Sequence, residues 1–155
     1  MSIRIPFVTA VLVFASVGAS AQTTINVPAD YPTIQQAINA SADGDTVLVS
    51  AGTYYEQIDF GAHQITVMSA DGPAATTIDA TFLGPVVTFG SAATRQAVLQ
   101  GFTITRGQGQ LFAGGIAVSE GSPTIRGNIV QGNVGGALGN GYRCISRPHS
   151  WSETP

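Results

Sequence analysis

The 155-residue chain has no lysine, one cysteine and one tryptophan, and only 10 % of it is charged. Six arginines against nine acidic residues give a formal net charge of −3. A surface with so few cations cannot gain affinity by neutralising phosphates, which excludes nucleic acid as a partner and argues equally against an anionic membrane. The lone Cys144 excludes an intramolecular disulfide. Burial and backbone hydrogen bonds must therefore hold the fold. With charge so scarce, solvation falls to Thr, Ser, Asn, Gln and Gly, the composition of regular β structure with many tight turns rather than of a helical bundle.

A long apolar run is also missing. Residues 5–17 are interrupted by Pro6, Thr9 and Ser16 and fall short of the roughly 20 residues that a bilayer span requires. Arg4 before this stretch and Ala19-Ser20-Ala21 after it have the order of a secretory leader, with Ala19 and Ala21 as the small residues that signal peptidase reads. The following Gln22 is not a cysteine, so no lipid anchor is expected. These features predict a signal peptide over 1–21 and no membrane insertion. They leave a mature chain from Gln22 to Pro155 in a secreted, periplasmic or extracellular setting. Loss of Arg4 leaves five basic groups against nine acidic ones.

The most informative segment is 27–58, VPADYPTIQQAINASADGDTVLVSAGTYYEQI. Tyr31-Pro32 ends any earlier helix, and Thr33 followed by Gln36 forms a capping box. Ile34, Ala37 and Ile38 then share one face at i, i+3, i+4 spacing, a narrow stripe suited to plugging the end of a larger structure. After Asp43-Gly44-Asp45 the period changes from 3.6 to 2. Strands are expected over 46–50, 56–60, 65–69, 76–79, 86–89, 98–105 and 116–118, each rich in Val, Ile, Phe or Thr and bounded by Gly, Pro, Asp or Ser. Ala51-Gly52-Thr53 reads as a turn.

Nothing between these strands has the length or period of a crossover helix. Gly114-Gly115-Ile116-Ala117-Val118 recurs as Gly135-Gly136-Ala137-Leu138-Gly139. The shift, from 114 to 135, is about 20 residues, which is the length of one solenoid coil. The stretch FTIT at 102–105 is echoed by Pro123-Thr124-Ile125 and by Asn128-Ile129-Val130. The fold class expected is all-β: a right-handed single-stranded parallel β-helix with a short N-terminal capping helix and about four to five coils over 22–141.

The motifs VPADYPTIQQAI, DGDTVLVSAGTYYEQI, GFTIT and GSPTIRGNIV resemble those of exported right-handed parallel β-helix proteins of the pectin-lyase-like superfamily. The opening is also similar to the N-terminal region of pectin methylesterases. The resemblance covers roughly residues 25–139 and rests on cap, turn and interior positions, so it speaks to fold. It implies three parallel sheets, a stacked apolar interior, and internal ladders that Asn128 and Asn133 could begin. The motifs that hold the two Asp and the Arg of pectin methylesterases have no counterpart here. The Ca²⁺ of pectate lyases needs stacked carboxylates, because Ca²⁺ takes six to eight oxygen ligands.

The available acids, Asp43, Asp45, Glu56, Asp59, Asp71, Asp79 and Glu120, are spread over turns and strands. Asp43 and Asp45 read as turn chemistry. Asp59 and Asp79 each follow an Ile and stand close to one coil length apart, and if stacked could bind a cation or share a proton. His63 reads as a surface turn residue. Arg95, Arg106 and Arg126 stand isolated, as coil-edge groups or as forks for a sugar carboxylate. Tyr54-Tyr55 points one ring inward and one outward, where it could stack on a sugar. Gly107-Gln108-Gly109 lacks the helix that a phosphate loop requires. No catalytic residue, metal ligand or cofactor is therefore assigned, Ca²⁺ included, and the ligand-binding residues stay open.

The closing segment 142–155 holds the only Cys and Trp and two of the six Arg, without alternation. It is read as an atypical tail, produced by a frameshift or truncation or else disordered, beyond a partial helix whose uncapped C-terminal edge could self-associate. The leading expectation is an exported, non-catalytic module at the cell surface that interacts with polysaccharide. The alternatives are a fragment of a polysaccharide lyase or pectin-esterase-like enzyme without its catalytic coils, and a non-functional truncated product.

Overall fold

Stretches such as 46–49 and 66–69 alternate with a period of two, which puts Val47, Val49 and Val67 on a buried face and Thr46, Leu48, Thr66 and Met68 on the other. The computed structural model describes residues 21–109 and 113–135 and the backbone of 142–145. Its elements are β1 (Thr24–Val27), α1 (Ile34–Ala40), β2 (Thr46–Val49), β3 (Gly52–Tyr54), β4 (Ile58–Asp59), β5 (Thr66–Ser69), β6 (Thr76–Asp79), β7 (Val87–Phe89), β8 (Val98–Gln100), β9 (Thr103–Thr105), β10 (Ile116–Ser119), β11 (Thr124–Arg126), β12 (Ile129–Val130) and β13 (Tyr142–Ile145). Every strand pairing is parallel. Three sheets result, ordered β1-β2-β5-β8-β11, β3-β6-β9-β12 and β4-β7-β10-β13. Each full turn of the chain adds one strand to each sheet, so the molecule is a parallel β-helix of about four turns.

The coils are not of the single length that the Gly-Gly repeat predicts. In the first sheet Thr24 lies opposite Thr46, Thr46 opposite Thr66, Thr66 opposite Val98 and Val98 opposite Thr124. The step is shortest from Thr46 to Thr66 and longest from Thr66 to Val98. Ile116 pairs with Val87 and Tyr142, so the repeated Gly-Gly does not mark equivalent coil positions. Side-chain stacking sets the register, while the turns absorb length freely. Of the two echoes of 102–105, only the second is a true neighbour, with Thr103 opposite Ile129 and Ile104 opposite Val130. The 124–126 segment pairs instead with β8.

Three further differences have local causes. The expected strand 98–105 is split at Gly101, whose φ of +81° turns the corner close against Ser69, so β8 and β9 belong to different sheets. Residues 24–27, for which no strand is expected, and 52–54, expected as a turn, are strands because β2 and β6 supply their ladder partners. The backbone of 142–145 pairs with β10, so the segment assigned to the atypical tail begins as a rung of the third sheet. Residues 146–155 of the expected tail and the expected leader, Ala19 included, lie outside the described residues, and Ala21 is exposed at their edge.

Helix α1 covers the first coil. Ile34, Ala37 and Ile38 are its buried residues, as their spacing predicts. Thr33 accepts a hydrogen bond from the Gln36 backbone N–H at 3.2 Å. The other half of the capping box does not form, since no hydrogen bond joins the Gln36 side chain to the Thr33 N–H, and other donors of the first turn are met from outside the helix. Glu56, from the coil above, accepts from the backbone N–H groups of Ile34 and Gln35, both at 2.9 Å. The interior is a stack of rows, including Ile58–Val87–Ile116 and the Phe60–Phe89 pair, whose rings lie 4.2 Å apart at 29°. Among the described residues no helix is long and apolar enough to cross a membrane.

Candidate functional site

The corner between the second and third sheets gathers residues that lie far apart in the sequence, from Tyr55 to Arg106. Tyr54 faces inward, and its hydroxyl donates to the Ser50 carbonyl at 3.0 Å. Burial first, and then the charge of Glu56, push that phenol above its usual pKa. The alternation turns Tyr55 outward, and it is 69 % exposed. One coil on, Asp79 ends β6 opposite Thr105, and the next residue, Arg106, bends back across the coils.

Arg106 Nε lies 2.8 and 2.7 Å from the two Asp79 carboxylate oxygens, and Nη2 contacts Oδ2 as well. The guanidinium carbon is 5.9 Å from the Tyr55 ring centre, within reach of a cation–π contact. The Asp79 side chain is only 6 % exposed, whereas 44 % of the Arg106 side chain remains accessible. Burial alone would raise the Asp79 pKa. The Arg106 hydrogen bond, the Thr81 N–H at 2.9 Å and the Arg106 charge outweigh it and hold the carboxyl below its usual range. The Asp79 hydrogen bond in turn raises Arg106.

The backbone here is strained. Among the described residues four non-glycine residues have positive φ, and three of them, Thr81 (50°), Phe82 (61°) and Arg106 (50°), meet at this corner. The Phe82 N–H donates to the Arg106 carbonyl at 2.6 Å, which locks the two turns together. Left-handed backbone at such residues is unfavourable by about 1–3 kcal/mol each and persists where surrounding structure imposes it, often at functional sites. The result is to present Phe82 (45 % exposed) and Leu83 (81 % exposed) beside the ion pair. Rings and an aliphatic side chain for stacking, beside a guanidinium donor that the buried Asp79 carboxylate holds in place, suit a ligand having apolar faces and hydroxyl edges.

The other sequence candidates have structural work. Asp45 accepts from the Ala42 and Thr23 N–H groups, both at 2.8 Å, and these bonds, Ala42 first, lower its pKa. Asp43 accepts from the Gln64 N–H at 2.9 Å. Asp59 lies opposite Thr88 in the third sheet and Asp79 opposite Thr105 in the second, so the two carboxylates do not stack. His63 sits half-buried in the turn, its backbone N–H bonded to Phe60. Arg126 Nε donates to Gln100 at 2.7 Å, and Arg95 is exposed. Asp71 and Glu120 are exposed as well.

Gly107 lies where two backbones meet, since a Cβ there would collide with the Gly114 carbonyl. The Gly107-Gln108-Gly109 stretch is therefore a close approach of coils. Asn128 and Asn133 each clamp a corner to the coil before: Asn128 bonds the Phe102 N–H and Leu99 carbonyl, and Asn133 the Gly107 N–H and Ile104 carbonyl. Among the described residues no three His, Cys, Asp or Glu side chains form a group that could hold a metal ion. Phe82 and Leu83 are absent from the candidates that the sequence offers, although an apolar pair inside the turn Asp79-Ala80-Thr81-Phe82-Leu83-Gly84-Pro85 is a visible signal of exposure. No protein-family model, curated protein or solved structure matches the chain.

Proposed function

We propose that this chain is an exported, non-catalytic β-helix module, extracellular or at the cell surface, that holds polysaccharide at the corner formed by Tyr55, Asp79, Phe82 and Arg106. The observation that carries this reading is the accessible Arg106 guanidinium, fixed by Asp79 over the exposed Tyr55 ring and tied through the backbone to Phe82. A sugar ring stacks through its C–H face on an aromatic side chain, and its hydroxyls pair with the accessible guanidinium, which Asp79 orients. The leader pattern with Ala19 and Ala21 supports export. Within the described residues β11 and β12 are paired on one side only, and self-association through that edge is the second partner this reading includes.

The test is binding of the secreted protein to a glycan array, followed by titration of the best ligand into wild type, Tyr55→Ala and Arg106→Ala. Loss of about tenfold in affinity in either variant supports the assignment. Cleavage of polygalacturonate in the presence of Ca²⁺, or methanol release from esterified pectin, would replace the module by an enzyme. Failure of the purified chain to give a β-rich, monodisperse species would favour the non-functional product.

A further inference from the structure

At the corner between the third and first sheets, a cleft of about 410 Å³ opens between Gln22, Gln64 and Gln96, with Asp43, Gly44 and Thr66 beneath. It is distinct from the Tyr55–Arg106 corner, which lies on the other side of the third sheet. The register explains the cleft. Thr24, Thr46, Thr66 and Val98 are aligned rungs, so the residues two positions earlier, Gln22, Gly44, Gln64 and Gln96, form a row along the axis. Neighbouring rungs are about 4.8 Å apart. Gly44, with φ of +93°, has no side chain to contribute, and Gln22 leans into the space, its Nε2 lying 3.6 Å from where a Cβ would stand.

The walls differ in how firmly they are held. The Gln64 carboxamide is saturated: it donates to the Ala62 and Ala92 carbonyls at 3.1 and 2.9 Å and accepts from the Thr94 N–H and hydroxyl at 3.1 and 2.6 Å. Asp43 fixes the Gln64 backbone N–H. By contrast, among the described residues the side chains of Gln22, Gln96 and Thr66 make no hydrogen bond. Three unengaged neutral groups, each both donor and acceptor, thus face a rigid wall across a cleft of ligand size. The lining contains one carboxylate and no cation, which disfavours an anionic ligand.

We infer that this cleft is a second saccharide site, taking an uncharged, hydroxyl-rich segment, so that the module bridges two glycan chains held at separate corners of one rod. The ligand class rests on the glycan reading above, whereas the site does not. The test is calorimetric titration of the purified protein with cellohexaose, xylohexaose and mannohexaose, and with trigalacturonate as an acidic comparator. Wild type binds at least one neutral hexasaccharide at two sites. The Gln22→Ala/Gln96→Ala variant loses one of them by about tenfold or more with an unchanged melting temperature, since those amides support nothing internal. Tyr55→Ala retains the cleft and loses the other. Should the double variant fold poorly, Thr66→Val probes the same cleft with minimal change of shape.

One site in wild type, abolished by Tyr55→Ala, overturns the cleft and leaves the module reading intact. Two sites unaffected by the cleft variants overturn it equally, as does tighter binding of trigalacturonate there. Binding of trigalacturonate alone overturns the cleft and leaves the Arg106 corner standing, whereas binding of none of the four saccharides counts against the glycan reading and this inference with it.

Discussion

Replacing Glu56 by alanine removes the carboxylate that ties the first backbone amides of α1 to the coil above. It accepts from two consecutive donors, Ile34 N–H and Gln35 N–H, both at 2.9 Å. Neither donor has a partner within a helix at that position. Each loss is comparable to removing an N-cap, about 0.5–2 kcal/mol, and a donor left in a part-buried place lies toward the upper end. The two together predict a destabilisation of about 2–4 kcal/mol. Against the roughly 5–15 kcal/mol typical of a folded domain this is a large fraction. In urea, with a slope of about 2 kcal/mol per molar, the midpoint falls by about 1–2 M with the slope unchanged. Glu56→Gln keeps one acceptor oxygen and is expected to show roughly half the effect. Thr33→Ala, which removes only the 3.2 Å bond to Gln36, should lose about 1 kcal/mol. Amide exchange at Ile34 and Gln35 should accelerate in the Glu56 variants. A Glu56→Ala midpoint within error of wild type, with exchange at those amides unchanged, would refute the clamp.

Phe60→Ala removes one of two fully buried stacked rings and is expected to lower stability by about 3–5 kcal/mol in the same denaturation assay, where a loss below about 1 kcal/mol would show that the stack is not tightly packed. Gly107→Ala forces a methyl group onto the Gly114 carbonyl and should destabilise by about 1–3 kcal/mol or more; a neutral result would mean that the coils are not in close approach. Because Asp79 is held below the ordinary carboxylate value of 3.8, the folded state binds fewer protons than the unfolded chain near that pH. Its contribution is therefore full above the unfolded pKa and lost as pH falls through the lower folded one. Thermal melts from pH 6 downward should decline more steeply in wild type than in Asp79→Asn, and parallel acid limbs would exclude the pairing.

Short-range features of the fold are legible in the sequence because they depend on near neighbours. The stripe Ile34, Ala37 and Ile38, the cap at Thr33 and the strand at 76–79 each carry their signal locally, and the structure places them as read. The coil register is not legible, because it is set by stacking between residues a whole coil apart while the turns between them vary in length. The turns that spoil the period also make the candidate site. The insertion after β6 that lengthens the coil between Thr66 and Val98 carries Phe82 and Leu83. Asp79 and Arg106 stand as isolated charges in the sequence because their pairing crosses one whole coil. Glu56 likewise looks like a strand-edge acid, and its role as a helix cap requires knowing that the helix lies beneath the next coil.

The most direct test of the account is calorimetric titration of the purified protein, wild type against Tyr55→Ala and Arg106→Ala, with the glycan selected on the array. The account predicts measurable binding by wild type, an affinity lower by about tenfold in each variant, and a wild-type melting temperature in Tyr55→Ala, whose ring is exposed. Equal affinities in all three proteins, or conversion of the glycan to products during the titration, would contradict it.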